Sequence, residues 1–277
     1  MKAGWWCACV AAIALACPAH AQVSQVDYSD LWWDPAENGW GVGLQRQGDV
    51  MFAALFLYGP DGASSWYFAS DMRASDAAAR SWTGKLYRAN GPTFSAPFDR
   101  PATVTEIGTA AIDFVNPSAG RLVYRVGGTT ITKDIERMTW RVPAIDGSYY
   151  GGLTTVVSSC NDASQEGTFD LMGALGVSAS NGRTVLSVTS ANLATPSKCT
   201  FSGTRRQEGR LGAVEGTYTC SIFTGSDDRG ENPRFAGRQG SFVMERMALG
   251  ANGFSAKLVA VDQDCTYTGN FGGVRQP

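Results

Sequence analysis

Tryptophan and carboxylate side chains crowd one short stretch near the start of this sequence. Leu31–Leu44 contains three tryptophans and two carboxylates, and Ser65–Tyr67 adds two more aromatic residues a short distance along the chain. Indole faces stack on the apolar faces of pyranose rings, while carboxylates accept hydrogen bonds from sugar hydroxyls. This chemistry suits a glycan or an apolar small molecule. The ligand contacts that we expect are Trp33, Glu37, Trp40, Trp66 and Tyr67.

A second interpretation of the same residues needs no ligand. Tryptophans are large enough to fill and plug a small β-barrel, and Asn38-Gly39 suits a turn between two strands. The sequence leaves both interpretations open.

Histidine chemistry is excluded from most of the chain. The single histidine, His20, lies in the predicted signal peptide, so the mature chain has no Ser/His/Asp triad and no histidine metal site. A glycoside hydrolase needs only two carboxylates, about 5 Å apart for retention or about 6.5–9.5 Å apart for inversion. Asp34, Glu37 and Asp49 are candidates for that alternative. We assign no catalytic residue, and the composition favours a protein that is not an enzyme.

The sequence contains no motif that indicates a metal ion, a nucleotide or another cofactor. Ser226–Asn232 groups several oxygen ligands but lacks the spacing of an EF-hand, so we predict a solvated loop. No glycine-rich segment opens a helix, as nucleotide-binding motifs require.

The first 21 residues predict export. They contain an early lysine, an apolar run and the small-x-small triplet that ends at Ala21, which is typical of a cleaved signal peptide. A lipoprotein signal that ends at Cys17 is the alternative. The rest of the sequence has no apolar stretch of the length needed for a transmembrane segment. We therefore predict a periplasmic or extracellular protein.

The charge of the mature chain disfavours nucleic acid and anionic membranes as partners. Of 23 basic residues, Lys2 lies in the signal peptide, which leaves 22 against 25 acidic residues and a net charge of −3. A glycan, an apolar ligand or a protein of the cell envelope remains as the partner.

The mature sequence divides into two all-β modules, residues 22–142 and 143–277. All tryptophans precede Pro143, and the four cysteines that remain after cleavage follow it. Short alternating runs between turn residues predict antiparallel β-meanders in both modules. In the first module we predict these strands: Gly41–Arg46, Val50–Tyr58, Ser65–Ser70, Trp82–Arg88, Ala102–Phe114, Arg121–Val126 and Thr130–Met138.

The second module contains a weak internal repeat. Its short Gly-x-aromatic and Cys-Thr-aromatic motifs recur in the same order, 66 to 73 residues apart, so four strands occur twice. Eight strands suffice to close a small up-and-down barrel. We predict strand starts near Gly147, Gly167, Arg183, Lys198, Leu211, Gly240, Gly253 and Asp264.

Barrel closure also predicts the disulfides. It places all four cysteines at one rim, with Cys199 facing Cys220 across a hairpin and Cys160 next to Cys265 across the closing strand pair. We therefore predict Cys199–Cys220 and Cys160–Cys265, with a structural role.

The tryptophan-rich segment resembles a family of secreted proteobacterial proteins. Their pattern, WWxPxExGWGxxxxxQGDxxFxxxFxY followed by a glycine and WY, is matched at every fixed position between Trp32 and Tyr67. Gly84–Tyr87, Lys133–Arg137 and the closing Gly269–Arg275 are also similar to members of the family. The resemblance implies secretion, and it implies no activity, ligand or catalytic residue.

Three functions follow from the sequence as hypotheses. The first is an exported, non-catalytic binding protein for a glycan or an apolar small molecule. The second is a structural or protein-interaction module of the cell envelope, and the third is a carboxylate-dependent glycoside hydrolase.

Overall fold

A computed structural model describes residues 26–93, 95, 97–190, 197–222 and 237–277. The predicted signal peptide and the predicted Ser226–Asn232 loop lie outside these residues. The described chain forms two closed antiparallel barrels of eight strands each, which confirms the predicted fold class. None of the described residues belongs to a helix that is both long and apolar enough to cross a membrane.

The first barrel contains strands β1 to β8 in sequence order. Their bounds are β1 Asp30–Trp33, β2 Gly41–Gln47, β3 Val50–Tyr58, β4 Ser64–Ala74, β5 Ser81–Asn90, β6 Thr103–Asn116, β7 Ala119–Val126 and β8 Thr129–Arg137. Consecutive strands form hairpins, and Gly48 takes the positive φ of +59° that the β2–β3 turn needs.

Strand β1 is missing from the predicted strands, and it closes the first barrel. It pairs with β2 on one side and with β8 on the other, where Trp32 is the partner of Arg137. The seven predicted strands are all present with small shifts at their ends. The predicted meander of the first module therefore closes into a barrel.

The second barrel contains strands β9 to β16, and a single 3₁₀ turn, Ala163–Gln165, follows β9. The strands are β9 Gly147–Ser158, β10 Gly167–Ser180, β11 Arg183–Ser190, β12 Ser197–Glu208, β13 Leu211–Ile222, β14 Gln239–Gly250, β15 Gly253–Val261 and β16 Thr266–Arg275. All eight starts lie within two residues of the predicted positions. The barrel closes between β16 and β9, where Phe271 pairs with Leu153.

Both predicted disulfides are confirmed. Cys199 and Cys220 are direct cross-strand partners in β12 and β13. Cys160 and Cys265 join the end of β9 to the start of β16, with a Cα–Cα distance of 4.1 Å. Each bridge therefore fastens one hairpin-like strand pair at the same rim of the second barrel.

Side chains fill the interiors of both barrels. Trp32 and Trp82 are fully buried in the first, together with aliphatic residues such as Met51, Leu86 and Ile112. Tyrosine, phenylalanine and aliphatic residues fill the second. Small eight-stranded barrels have interiors of this width.

The two barrels contact each other through the β12–β13 hairpin. Its tip residue Gly209 donates from its backbone N–H to Thr139 Oγ1 at 2.8 Å. The backbone N–H of Arg210 donates to Asp30 Oδ2 of β1 at 2.9 Å. Arg210 and Asp27 also form an ion pair. These bonds join the second barrel to one rim of the first.

Candidate functional site

Three of the expected ligand contacts lie at the rim of the first barrel that faces away from the second barrel: Glu37, Trp40 and Tyr67. The turn between β1 and β2 carries Glu37 and leads into Trp40, whose indole Nε1 donates to Glu37 Oε2 at 2.9 Å. Lys133 of β8 donates to both carboxylate oxygens of Glu37, at 2.7 and 2.5 Å. The Lys133 ammonium also lies 5.7 Å from the centre of a Trp40 ring. We call Glu37, Trp40 and Lys133 the rim cluster.

Tyrosine hydroxyls border the rim cluster from inside the barrel. Tyr67 and Tyr124 are partly buried against the barrel core. Burial raises the pKa of Tyr124 above its ordinary value, with Lys133 opposing the rise and Tyr67 and Glu37 adding to it. Tyr67 thus belongs to the same end of the barrel as Glu37 and Trp40, and it faces inward.

The carboxylate of the rim cluster is held in its ionised form. The hydrogen bond from Lys133 is the largest influence on Glu37 and keeps its pKa below the ordinary value, because it outweighs the opposing effect of desolvation. A glycosidase acid needs the opposite shift, a raised pKa. Glu37 is therefore suited to holding Lys133 and Trp40 in place and is unsuited to donating a proton.

The other two carboxylates considered for hydrolysis each have a partner within the first barrel. Asp34 Oδ1 accepts the backbone N–H of Ala36 at 2.9 Å and so shapes the β1–β2 turn. Asp49 lies in the β2–β3 turn and pairs with Arg73 at 2.6 Å. Successive turns of an antiparallel meander lie at opposite ends of the strands, so Asp49 and Glu37 are at opposite rims.

Trp66 lies on a different surface from its neighbour Tyr67. Successive side chains of a strand point to opposite faces, and Tyr67 points into the first barrel while Trp66 is 48% exposed on its outside. Trp66 is the cross-strand partner of Phe56, which is 52% exposed. The five expected contacts therefore lie partly at the rim and partly on the outer surface of the first barrel.

The outside of β3, β4 and β5 carries a cluster of aromatic rings, of which the site expected from the sequence contains only Trp66. Phe68 lies at its centre, with ring centroids 5.6 Å from Trp66, 6.3 Å from Phe52 and 5.7 Å from Tyr87. The interplanar angles are only 28°, 21° and 31°. With Phe56, these residues are called the aromatic face below.

Trp33 extends this surface across two more strands. It lies next to Gly41 of β2, where an added Cβ would be 4.0 Å from the Trp33 Cβ, and Gly41 is in turn the partner of Phe56. Gly43, two residues along β2, also faces outward. The Leu31 side chain and the Phe56 ring lie over Gly43, where an added Cβ would be 3.4 and 3.8 Å from them.

Polar side chains border the aromatic face. Tyr87 is the cross-strand partner of Glu106, whose carboxylate forms an ion pair with Lys85 at 2.8 Å. Phe52 is the partner of Gln45 on the other side. Hydrogen-bonding groups of three kinds, a carboxylate, an ammonium and an amide, are thus available next to the rings.

Comparison with known proteins shows a likeness among solved structures and none among family models or curated proteins. No protein-family model matches the chain, and no curated protein matches it. The chain is similar in structure to the isotype 1 transferrin binding protein B from serogroup B Neisseria meningitidis, with 9% sequence identity and a TM-score of 0.27. The similarity covers 86% of this chain and 52% of that one, so this chain spans about half the length of that protein.

The two disulfides are relevant to the cellular location of the protein. Both are formed in the structure, and disulfides persist in oxidising environments. The structure is therefore compatible with an extracytoplasmic location.

Proposed function

We propose that this chain is an exported, non-catalytic binding protein and that the aromatic face contacts its ligand, a glycan. The single observation that carries the proposal is the cluster of aromatic rings around Phe68 on the outside of the first barrel, in which Phe52, Phe56 and Trp66 are exposed. Soluble proteins rarely expose contiguous apolar surface without a binding role. The rings are large enough to stack on sugars.

The border of the aromatic face favours a glycan over a purely apolar ligand. Glu106 and Lys85 bind each other, but their side chains are 48% and 63% exposed, so each keeps further hydrogen-bonding capacity beside the rings. With the amide of Gln45, they provide partners for hydroxyl groups. The apolar chain of a lipid cannot form hydrogen bonds with these groups. A sugar presents an apolar face to the rings and hydroxyls to the border.

The proposal keeps Trp33 and Trp66 as ligand contacts and leaves out the rim cluster. Glu37 and Trp40 bind each other and Lys133, and Tyr67 packs against the core. The hydrogen-bonding groups of Glu37 and Trp40 are thus already used within the rim cluster, which suits a role in closing the far end of the barrel.

A thermal-shift screen of the oxidised, mature protein against soluble glycans and fatty acids tests the proposal. A ligand present at about 100 times its dissociation constant stabilises the native state by about 2.7 kcal/mol, which raises the melting temperature by several degrees. We expect one class of glycan to produce this rise. Trp66→Ala and Phe56→Ala should melt at the wild-type temperature and lose the rise.

Trp140 provides a matched control because it is an exposed tryptophan outside the aromatic face, with 74% of its surface exposed. Trp140→Ala should keep the full response to the glycan. Equal loss of response in Trp66→Ala and Trp140→Ala would contradict the assignment to the aromatic face. A screen in which fatty acids alone raise the melting temperature would contradict the glycan, and one without any response would favour a protein partner for the same rings.

A further inference from the structure

A cavity of about 540 Å³, lined by both charged and apolar residues, lies between the two barrels. One wall comes from the rim of the first barrel, at the β6–β7 turn and the end of β8. The other wall comes from the β12–β13 hairpin and the middle of β14 in the second barrel. We call this cavity the inter-barrel cleft.

The walls of the inter-barrel cleft are fixed relative to each other. Ser118 of the first barrel donates from its hydroxyl to Glu208 of the second. The backbone N–H of Gly209 donates to Thr139 Oγ1, and that of Arg210 to Asp30. Ligand sites are usually preformed, often lie between domains and typically measure about 300–1,000 Å³. The inter-barrel cleft meets these conditions.

The charged groups of the inter-barrel cleft are balanced. Among the described residues that line it, three are arginines and three are glutamates: Glu136, Arg137, Arg206, Glu208, Glu245 and Arg246. Several are paired, with Arg206 at 3.7 Å from Glu208 and Arg246 at 3.7 Å from Glu245. Arg137 is bound to Asp30 at 2.8 Å.

This balance determines the class of ligand. An ionic ligand would lose its hydration, and all three arginines and two of the three glutamates already have an ionic partner, so its burial would cost free energy. A neutral molecule with many hydroxyl groups avoids this cost. Its hydroxyls can accept from guanidinium groups and donate to carboxylates at the same time.

A backbone irregularity directs side chains of β14 towards the inter-barrel cleft. The pairing of β14 with β15 shifts register between Glu245 and Ala248, and Arg246 within this bulge has a φ of +54°. Positive φ at a residue other than glycine is unfavourable and persists where the surroundings enforce it. Bulges commonly reorient side chains near binding sites.

We infer that the inter-barrel cleft is a second binding site, for a small neutral saccharide of about one or two sugar units. This inference is independent of the aromatic face. The cleft uses ion-pair networks and no exposed ring, and its residues belong to both barrels, so variants of the two sites can be separated.

Calorimetric titration of the oxidised, mature protein with maltose, cellobiose and N,N′-diacetylchitobiose tests the inference. We expect at least one of them to bind with a dissociation constant of about 1 mM or lower. Val243 lines the cleft and is 40% exposed, so Val243→Trp should fill part of the space without disturbing the core. The variant should weaken binding at least about tenfold, which is about 1.4 kcal/mol.

Val156 provides the control because it is an exposed valine on β9, outside the cleft lining. Val156→Trp should bind like the wild type. Glu245→Gln is a second cleft variant that keeps the side-chain shape but removes one acceptor charge, and it should also weaken binding. Melting temperatures within a few degrees of the wild type verify that each variant is folded.

Four outcomes would overturn the inference. The first is no binding of any of the three disaccharides, and the second is unchanged binding in both Val243→Trp and Glu245→Gln. The third is binding of citrate or spermidine in place of the neutral sugars, since it contradicts the charge argument. The fourth is binding lost in Trp66→Ala and kept in Val243→Trp, which assigns the sugar to the aromatic face and leaves the proposed function intact.

Discussion

The ion pair between Asp30 and Arg137 provides a quantitative test of how the first barrel is closed. Asp30 belongs to β1 and Arg137 ends β8, so the pair spans the closing strands. Arg137 Nη1 donates to Asp30 Oδ2 at 2.8 Å, with side-chain exposures of 1% and 11%. The Arg137 guanidinium also lies 4.8 Å from the centre of a Trp32 ring. We predict that Asp30→Ala strongly destabilises the first barrel.

The size of this destabilisation follows from the buried charge of Arg137, which the Asp30→Ala substitution leaves without its carboxylate partner. Burial lowers the pKa of Arg137 and the bond to Asp30 opposes this, but an arginine side chain remains protonated in proteins. Removing one member of a buried pair costs about 3–5 kcal/mol because the other charge loses its partner. With a urea dependence of about 2 kcal/mol per molar for a domain of this size, the unfolding midpoint should fall by about 2 M.

Asp134 provides a matched control. It forms an ion pair with Arg121 at 3.0 Å in the same barrel, but the two side chains are 78% and 59% exposed. Exposed pairs contribute about 0–1 kcal/mol. Asp134→Ala should therefore lower the urea midpoint by less than about 0.5 M.

Tryptophan fluorescence is the appropriate assay because every tryptophan of the chain precedes Pro143. The signal therefore reports the unfolding of the first barrel and the segment after it, while the second barrel contributes no indole. Similar midpoints for Asp30→Ala and Asp134→Ala would refute the reasoning, since they would show that burial of the pair has no energetic consequence.

Two further predictions concern the rim cluster and the disulfides. Because Lys133 keeps the pKa of Glu37 below the ordinary 4.5, the stabilising contacts are present at neutral pH and lost as the pH falls through the lowered value. Trp40 emission should change in that acid range in the wild type, and persistence of the change in Glu37→Gln would contradict its assignment to this carboxylate. Replacing Cys160 and Cys265, which are 105 residues apart, by serine should cost about 5 kcal/mol, against about 3 kcal/mol for the other bridge with its separation of 21. Urea unfolding followed by far-ultraviolet circular dichroism measures both losses, and equal losses would contradict the loop-closure explanation.

The hairpin pattern explains why most of the fold could be predicted. Short turns mark the ends of the strands that they join, as Gly48 does between β2 and β3. The sequential order of the strands then defines the barrel. The disulfide pairing followed from this order, because closure makes the first and last strands of the second barrel neighbours. No residue-level detail was needed for that step.

Strand β1 could not be recognised in the same way. It has four residues, too few to show alternation, and its pairing with β8 joins Trp32 to Arg137 over a hundred residues away. The signal that specifies this strand is the long-range pairing itself, together with the burial of Trp32 beneath the Arg137 guanidinium. A local sequence pattern contains neither.

Alternation explains why the structure places the expected ligand contacts on more than one surface. Residues adjacent in a strand lie on opposite faces, so Trp66 and Tyr67 could not both contact one ligand once they were placed in β4. In β3, Met51 is buried inside the barrel while Phe52 and Phe56 are exposed outside it. A strand in a barrel needs apolar residues only on its inner face. Aromatic rings on its outer face as well indicate a second apolar surface, which lies outside the barrel core. In the neighbouring strands too, period-two alternation identifies the residues of the aromatic face. The density of tryptophans along the chain points instead to the rim cluster.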